Sequence, residues 1–219
     1  YVCNRFEPNR MFHNLGNGTF EDITLSARVG AGGDPRSVSL ADVDQDGFLD
    51  IYVANLRMEN ILYRNNGDLT FSNIVHSSGA KDRLISMGTI FFDYDQDGDQ
   101  DLYLTHDANQ PNILYQNDGA GHFTDVSVFS GTNYAGFGMG VDVGDVNRDG
   151  WLDLYITNLY HNTLLLNQQD GTFKDISESA GIQDMGMGWS TSFLDIDNDG
   201  WVDIYLANDS YFSPLPTVL

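Results

Sequence analysis

The feature that most constrains this chain is a nonapeptide that returns every 50 to 52 residues. Its clearest copy is Asp195-Ile196-Asp197-Asn198-Asp199-Gly200-Trp201-Val202-Asp203. Asp42, Asp44, Asp46 and Asp50 form the first copy around Gly47, and Asp93, Asp95, Asp97 and Asp101 the second around Gly98. Asp145, Asn147, Asp149 and Asp153 form the third around Gly150. The copies start at 42, 93, 145 and 195. Self-similarity at such a period marks a repeat architecture and takes precedence over a domain count from the 219-residue length.

Carboxylates at alternate positions of a tight loop can all turn inward, and the glycine permits the backbone to reverse after them. Left without a cation, four such groups repel strongly. A hard divalent ion needs several oxygens at once, and calcium takes about six to eight. The loops are therefore expected to be four Ca²⁺ sites. The third should be the weakest, because Asn147 keeps an oxygen but drops a charge.

The composition agrees with this reading. Asp+Glu number 32 against 10 Lys+Arg, a formal net charge of −22, and 15 of the carboxylates occupy positions 1, 3, 5 and 9 of the loops. Four Ca²⁺, at two charges each, would leave −14. Such acidity argues against a nucleic-acid partner, whose phosphates need a basic face, and against an anionic membrane surface. Aromatic residues are 12% and the acids are localised, which argues against disorder. No apolar run is long enough to span a bilayer. The single cysteine, Cys3, leaves no intramolecular disulfide. Asn17-Gly18-Thr19 and Asn208-Asp209-Ser210 read as N-glycosylation acceptors.

Each repeat carries a second motif, such as Asn60-Ile61-Leu62-Tyr63 followed by Asn65-Asn66-Gly67, which recurs from Asn9, Asn112 and Asn162. From this Asn to the next loop is always 33 residues, whereas from loop to Asn it is 18, 19 or 17. β-like runs precede the loops at 37–41, 89–92, 141–144 and 191–194 and follow them at 51–54, 102–105, 154–157 and 204–207. The Asn-Ile-Leu-Tyr run supplies a third strand. Asn-Gly and Asp-Gly signal a hairpin, and the Thr-Phe run beyond supplies a fourth. Four short antiparallel strands per repeat, with no helical periodicity, describe a propeller blade. Five residues before each loop stand Ser37, Gly88, Gly140 and Ser190, small enough for the crowded innermost strand. The tail Ser213-Pro214-Leu215-Pro216 reads as loop.

These motifs resemble the FG-GAP or VCBS calcium-binding repeats, found in integrin α propellers and in secreted cartilage acidic protein-like and bacterial relatives. Phe137-Gly138 stands where a Phe-Gly pair is expected. The Gly-Ala-Pro half is replaced by the contexts of Asn55, Asn158 and Asn208, which leans towards the secreted VCBS-type group. The resemblance implies side-chain ligands at positions 1, 3, 5 and 9. It adds a backbone carbonyl at position 7, from Phe48, Asp99, Trp151 and Trp201. It also implies an all-β propeller of about seven blades. The chain then reads as one domain, with repeats near 1–51, 52–102, 103–154 and 155–204 and the start of another at 205–219. Ends placed just after a loop suggest a piece of a longer chain, completed by further repeats or another subunit.

An EF-hand needs Glu at position 12 and flanking helices, but Val53, Leu104, Ile156 and Leu206 stand there. The five histidines show no metal or triad spacing, and no Gly-x-Ser-x-Gly, His-Glu-x-x-His or phosphate loop occurs. The chain is expected not to be an enzyme. Strand direction puts the metal loops on one face and the variable segments 56–59, 107–111 and 159–161 on the other. Arg36, Trp189, Tyr160 and His161 are the expected partner face. The function expected is protein recognition or adhesion outside the cell or at its surface. The alternatives are a carbohydrate-binding lectin and the scaffold domain of a secreted enzyme.

Overall fold

The computed structural model describes residues 1–182 and 186–209. The fold is a β-propeller of four-stranded antiparallel blades. The chain enters on β1 (Phe12–Asn14) and β2 (Phe20–Asp22), which pair as an outer hairpin, followed by a one-turn helix α1 (Thr24–Ala27). The first complete blade has β3 (Pro35–Ala41), β4 (Asp50–Asn55), β5 (Ile61–Asn65) and β6 (Phe71–Asn73) in that order. After α2 (Val75–Ser78) comes the second blade. It has β7 (Ser86–Phe92), β8 (Asp101–His106), a two-residue strand β9 (Gln110–Pro111), β10 (Ile113–Asn117) and β11 (Phe123–Asp125), with β7-β8-β10-β11 as its sheet. Helix α3 (Ser127–Ser130) and β12 (Ala135–Gly136), which pairs with β9, lead to the third blade. That blade is β13 (Gly138–Gly144), β14 (Asp153–Asn158), β15 (Thr163–Asn167) and β16 (Phe173–Asp175). A final hairpin, β17 (Met187–Leu194) with β18 (Asp203–Asp209), repeats the inner half of a blade. The tail motif at 213–216 lies outside the described residues. The repeat boundaries at 51, 102, 154 and 204 fall inside the second strand of each sheet, so a sequence repeat joins the outer strands of one blade to the inner strand of the next.

The core lies between blades. Tyr52 and Leu62 of the first blade pack with Leu102, Leu104, Tyr115 and Phe123 of the second. Tyr103 and Leu114 pack in turn with Leu154, Ile156 and Phe173 of the third. Strands β4, β8 and β14 are thus covered on both faces and buried at every residue. This is why Ile51-Tyr52-Val53-Ala54 shows no polar alternation. Strand β18 lacks such cover, and its residues alternate in exposure.

The innermost strands β3, β7, β13 and β17 lie side by side. A Cβ on Gly88 would stand 2.5 Å from the Met139 carbonyl oxygen, and one on Gly140 2.9 Å from that of Trp189. The small residues predicted at these positions therefore permit backbone-to-backbone contact. The ladders slip there, between Ser86 and Thr89 and between Gly138 and Val141. Threonine hydroxyls of the second strand accept the freed N–H groups, Gly88 N to Thr105 Oγ1 at 2.7 Å and Gly140 N to Thr157 Oγ1 at 2.8 Å.

The sequence reading anticipates no helix, and the structure corrects it with α1, α2 and α3. Each is four residues, a single turn too short to display a 3.6-residue period. Asp22, Asn73 and Asp125 open them by accepting the N–H two residues on, at 3.0, 3.1 and 3.0 Å. No helix among the described residues is long and apolar enough to cross a membrane.

Candidate metal centres

Each nonapeptide makes the turn from the first to the second strand of a blade. Its glycine has positive φ in all four copies: 91° at Gly47, 94° at Gly98, 88° at Gly150 and 85° at Gly200. Position 4 is also left-handed, at 58° for Gln45, 59° for Gln96, 58° for Arg148 and 61° for Asn198, which the sequence reading did not anticipate. The left-handed region costs energy outside glycine, and the loop's own carboxylates compensate. Asp42 accepts Asp46 N at 3.0 Å and Gly47 N at 2.9 Å, and Asp145 and Asp195 accept the equivalent pairs. Asp46, Asp97, Asp149 and Asp199 each accept the position-7 N–H, at 2.8 to 3.2 Å.

The last Asp is the most deeply set. Asp50, Asp101 and Asp153 are fully buried. Each accepts the position-2 N–H of its own loop, from Val43, Tyr94 and Val146 at 2.9, 3.1 and 2.9 Å. Each also accepts a strand-3 asparagine N–H, from Asn65, Asn117 and Asn167 at 2.8 Å. Asp203 makes the position-2 bond to Ile196 at 3.0 Å. Burial pushes the carboxyls of Asp50 and Asp153 up to about 6 and that of Asp101 up to about 8, against the lowering pull of those N–H groups.

One oxygen each of Asp42, Asp44 and Asp50 lies within 4.8 Å of the others, as do oxygens of Asp93, Asp95 and Asp101, and of Asp195, Asp197 and Asp199. Among the described residues, the third loop gathers no such trio. There the Asn147 amide and the Gln169 amide each donate to Asp149 Oδ2 at 2.9 Å. The Asp149 carboxyl is lowered even though burial opposes it, because the Trp151 N–H and the two amides outweigh it. The first two loops are the opposite case. Asp44 Oδ1, Asp93 Oδ1, Asp95 Oδ1 and Asp99 Oδ1 are buried without a hydrogen-bond partner. Burial, then the neighbouring Asp46 and Asp97, raises Asp44 and Asp95, and burial followed by Asp97 raises Asp99 to about 6. Orphaned carboxylate oxygens are costly, and a cation held by positions 1, 3, 5 and 9 would relieve that cost at Asp44, Asp93 and Asp95. Position 3 has local help from Arg64 Nη1, 3.9 Å from Asp44, and from Gln116 Nε2, 2.7 Å from Asp95. The matching residue in the third blade is Leu166, beside the neutral Asn147.

Phe48 and Trp201 stand half-exposed at position 7, and Trp151 is partly buried. On the other side, Arg36 and Trp189 line one cavity of about 250 Å³ with Met87 and Met139, and Trp189 is 48% exposed. Tyr160 and His161 are exposed on a neighbouring turn tied to the base of β17 by Tyr160 N to Gly186 O at 3.0 Å. Among further groups that sequence reasoning missed, Asp82 and His106 form a buried pair at 3.0 Å, extended by Ser86 and Asn60. Their sequence spacing carries no signal. The position-4 side chains do carry one, since all four are polar and long or amide-bearing.

The chain matches the FG-GAP-like repeat family over residues 1–53, 42–104, 93–156 and 145–206. Three of these spans begin at the first Asp of a nonapeptide and end in the strand that directly follows the next one, so neighbouring matches share a loop. It is 28% identical over 172 residues to cartilage acidic protein 1 of Mus musculus and of Homo sapiens, which covers 72% of this chain. The match covers 26% and 25% of those relatives, about a quarter of their length. A solved Agrocybe aegerita lectin, described as recognising non-reducing terminal N-acetylglucosamine, is similar in fold with a TM-score of 0.55. That likeness has 20% identity and covers 90% of this chain and 55% of the lectin's. With four matched repeats covering nearly all of its length, the chain belongs to the FG-GAP-like repeat family.

Proposed function

We propose that this chain is part of a calcium-stabilised, extracellular β-propeller that recognises a protein partner. The observation that carries the calcium reading is the set of buried, unpartnered oxygens at ligand positions, on Asp44, Asp93 and Asp95. Ligands would be the side chains at positions 1, 3, 5 and 9 and the carbonyl oxygens of Phe48, Asp99, Trp151 and Trp201. When bound, the ion supplies charge neutralisation and cross-links the first strand of a blade to the second. The chain's own part is to hold the carboxylates in place through the N–H bonds to positions 1, 5 and 9. Sites of this type with affinities of roughly 10⁻⁴–10⁻³ M suit a calcium-rich exterior. Recognition would fall to the opposite face, where the loops vary in length and where Arg36 and Trp189 share a cavity, with Tyr160 and His161 beside it. Calcium titration calorimetry tests the first part, and absence of calcium uptake overturns it. Binding to arrayed extracellular proteins, lost in Trp189→Ala and Arg36→Ala, tests the second; hits unaffected by both variants count against that face.

A second reading is a glycan-binding module. It is favoured by a cleft of about 310 Å³ lined by Trp151, Phe129, Tyr94, Gln116 and Gln169, where aromatic faces stand beside amides and carboxylates. A glycan array separates the readings: sugar-selective binding lost in Trp151→Ala supports the lectin.

A further inference from the structure

The loops are joined to one another. Gln45 Nε2 donates to Gly98 O at 3.3 Å, Gln96 Nε2 to Gly150 O at 2.7 Å and Arg148 Nε to Gly200 O at 2.7 Å. In each case position 4 of one loop reaches position 6 of the next. Arg148 also donates through Nη2 to Asp199 O at 3.0 Å and lies 4.2 Å above the Trp201 ring. Links run the other way too. Asn117 Nδ2 donates to Val43 O at 2.9 Å, and Asn167 Nδ2 to Tyr94 O at 2.8 Å. These two asparagines hang from the last Asp of their own loops through their backbone N–H groups.

The accepting peptide is a sensitive one. The peptide joining positions 6 and 7 takes the incoming bond at its C=O and gives its N–H to the position-5 carboxylate. Those distances are 3.2 Å for Asp99 N to Asp97, 2.9 Å for Trp151 N to Asp149 and 2.8 Å for Trp201 N to Asp199. Hydrogen bonds at the two ends of one peptide polarise each other and fix its plane, and that plane is the one from which the chain enters residue 7, whose carbonyl is an expected ligand. The donor sits between positions 3 and 5 of its own loop, on its left-handed residue.

We propose that Gln45, Gln96 and Arg148 are positioning residues that couple neighbouring calcium loops, so that ions bind cooperatively along the row of blades. The proposal rests on the reading of the loops as calcium sites. An ion in one loop fixes positions 3 and 5 and so fixes the donor between them. That donor holds the 6–7 peptide of the next loop in the orientation its own ion requires. Repulsion between bound ions acts in the opposite sense, and salt weakens only its solvent-exposed part, beyond about 8 Å at 0.15 M. The hydrogen-bonded coupling is short-range and survives that salt.

Calcium titration calorimetry on the whole chain at physiological salt tests the coupling. The wild type should bind with a Hill coefficient above one. A variant carrying Gln45→Ala, Gln96→Ala and Arg148→Ala should take up the same number of ions with a coefficient near one. Its apparent affinity should be lower by about five-fold or more, the low end of common coupling strengths. Independent sites in the wild type, or a wild-type coefficient in the variant, overturn the coupling and leave the calcium reading standing. No uptake by the wild type overturns both. Should the triple variant fail to fold, Gln96→Ala alone is read, and a coefficient unchanged from wild type overturns the proposal.

Discussion

The second and third loops have nearly the same backbone and very different chemistry. Position 4 is left-handed at 59° and 58°, the glycine stands at 94° and 88°, and the last Asp of each holds two backbone N–H groups. Yet the second loop carries five carboxylates, Asp93, Asp95, Asp97, Asp99 and Asp101, while the third has three, with Asn147 and Arg148 between them. The cage is therefore shaped by its glycine, its left-handed residue and its N–H bonds rather than by its charge. On the proposed calcium reading, charge decides how much the loop needs an ion. Three buried oxygens without partners in the second loop stand against none recorded for the third among the described residues, where two amides serve Asp149.

The largest expected effect breaks the comparison open by chelation. Each site held at a hundred times its Kd adds about 2.7 kcal/mol to stability, so calcium removal should lower the melting temperature by many degrees. The loss should come mainly from loops other than the third. In calorimetry, Asp95→Ala should abolish a large share of the calcium-dependent shift and Asn147→Ala only a small share. Equal losses would mean that charge count does not rank the sites.

Much of this contrast was legible in the residues. The period places every loop, Gly at position 6 predicts the reversal, and Asn147 marks the odd copy. Ser37, Gly88, Gly140 and Ser190 locate the innermost strands, and Arg36 and Trp189, each directly before one of these serines, line one cavity. Other features were not legible for physical reasons. Gln45 reaches a carbonyl 53 residues away, and a backbone acceptor has no side-chain signature. A one-turn helix cannot show a period. The Asp82–His106 pair depends on two blades meeting, which no local pattern encodes.

Next in size is a pH effect in the chelated protein, where the two loops should part company. A carboxyl whose folded pKa is raised favours folding while protonated. Its contribution is complete below the unfolded value of about 3.9 and is lost as pH rises through the folded value. Asp153 in the third loop therefore loses its share near 6. In the second loop the loss through Asp99 is complete at about 6, while that through Asp101 runs on to about 8. Between its unfolded and its folded pKa each group lowers stability by about 1.4 kcal/mol per pH unit, and above the folded value the loss is complete. Hydrogen exchange from pH 5 to 9, on scales of roughly this span, should show protection at 93–101 still falling after 145–153 has levelled. Parallel curves would contradict the burial argument.

Truncation at position 9 should erase the difference between the loops. Asp101→Ala and Asp153→Ala each orphan two backbone N–H groups, and each should cost about 3 kcal/mol in denaturant unfolding without calcium. A harmless Asp153→Ala would mean that the third loop is not held by the same bonds as the second.

The smallest expected change converts one loop towards the other. Asn147→Asp restores the carboxylate at position 3 and removes the amide that donates to Asp149 Oδ2 at 2.9 Å. Without calcium, the new charge faces Asp145, Asp149 and Asp153 with Leu166, rather than an Arg or Gln, on the neighbouring strand, so the variant should melt slightly below wild type. With calcium the same charge becomes a ligand, and affinity at the third loop should rise about ten-fold, worth about 1.4 kcal/mol. The variant loop would carry four carboxylates against five in the second, which is why the third loop should not overtake the second. Calcium calorimetry on Asn147→Asp against wild type reads the change directly. A weaker third site in the variant would mean that the amides on Asp149, rather than the missing carboxylate, set its affinity.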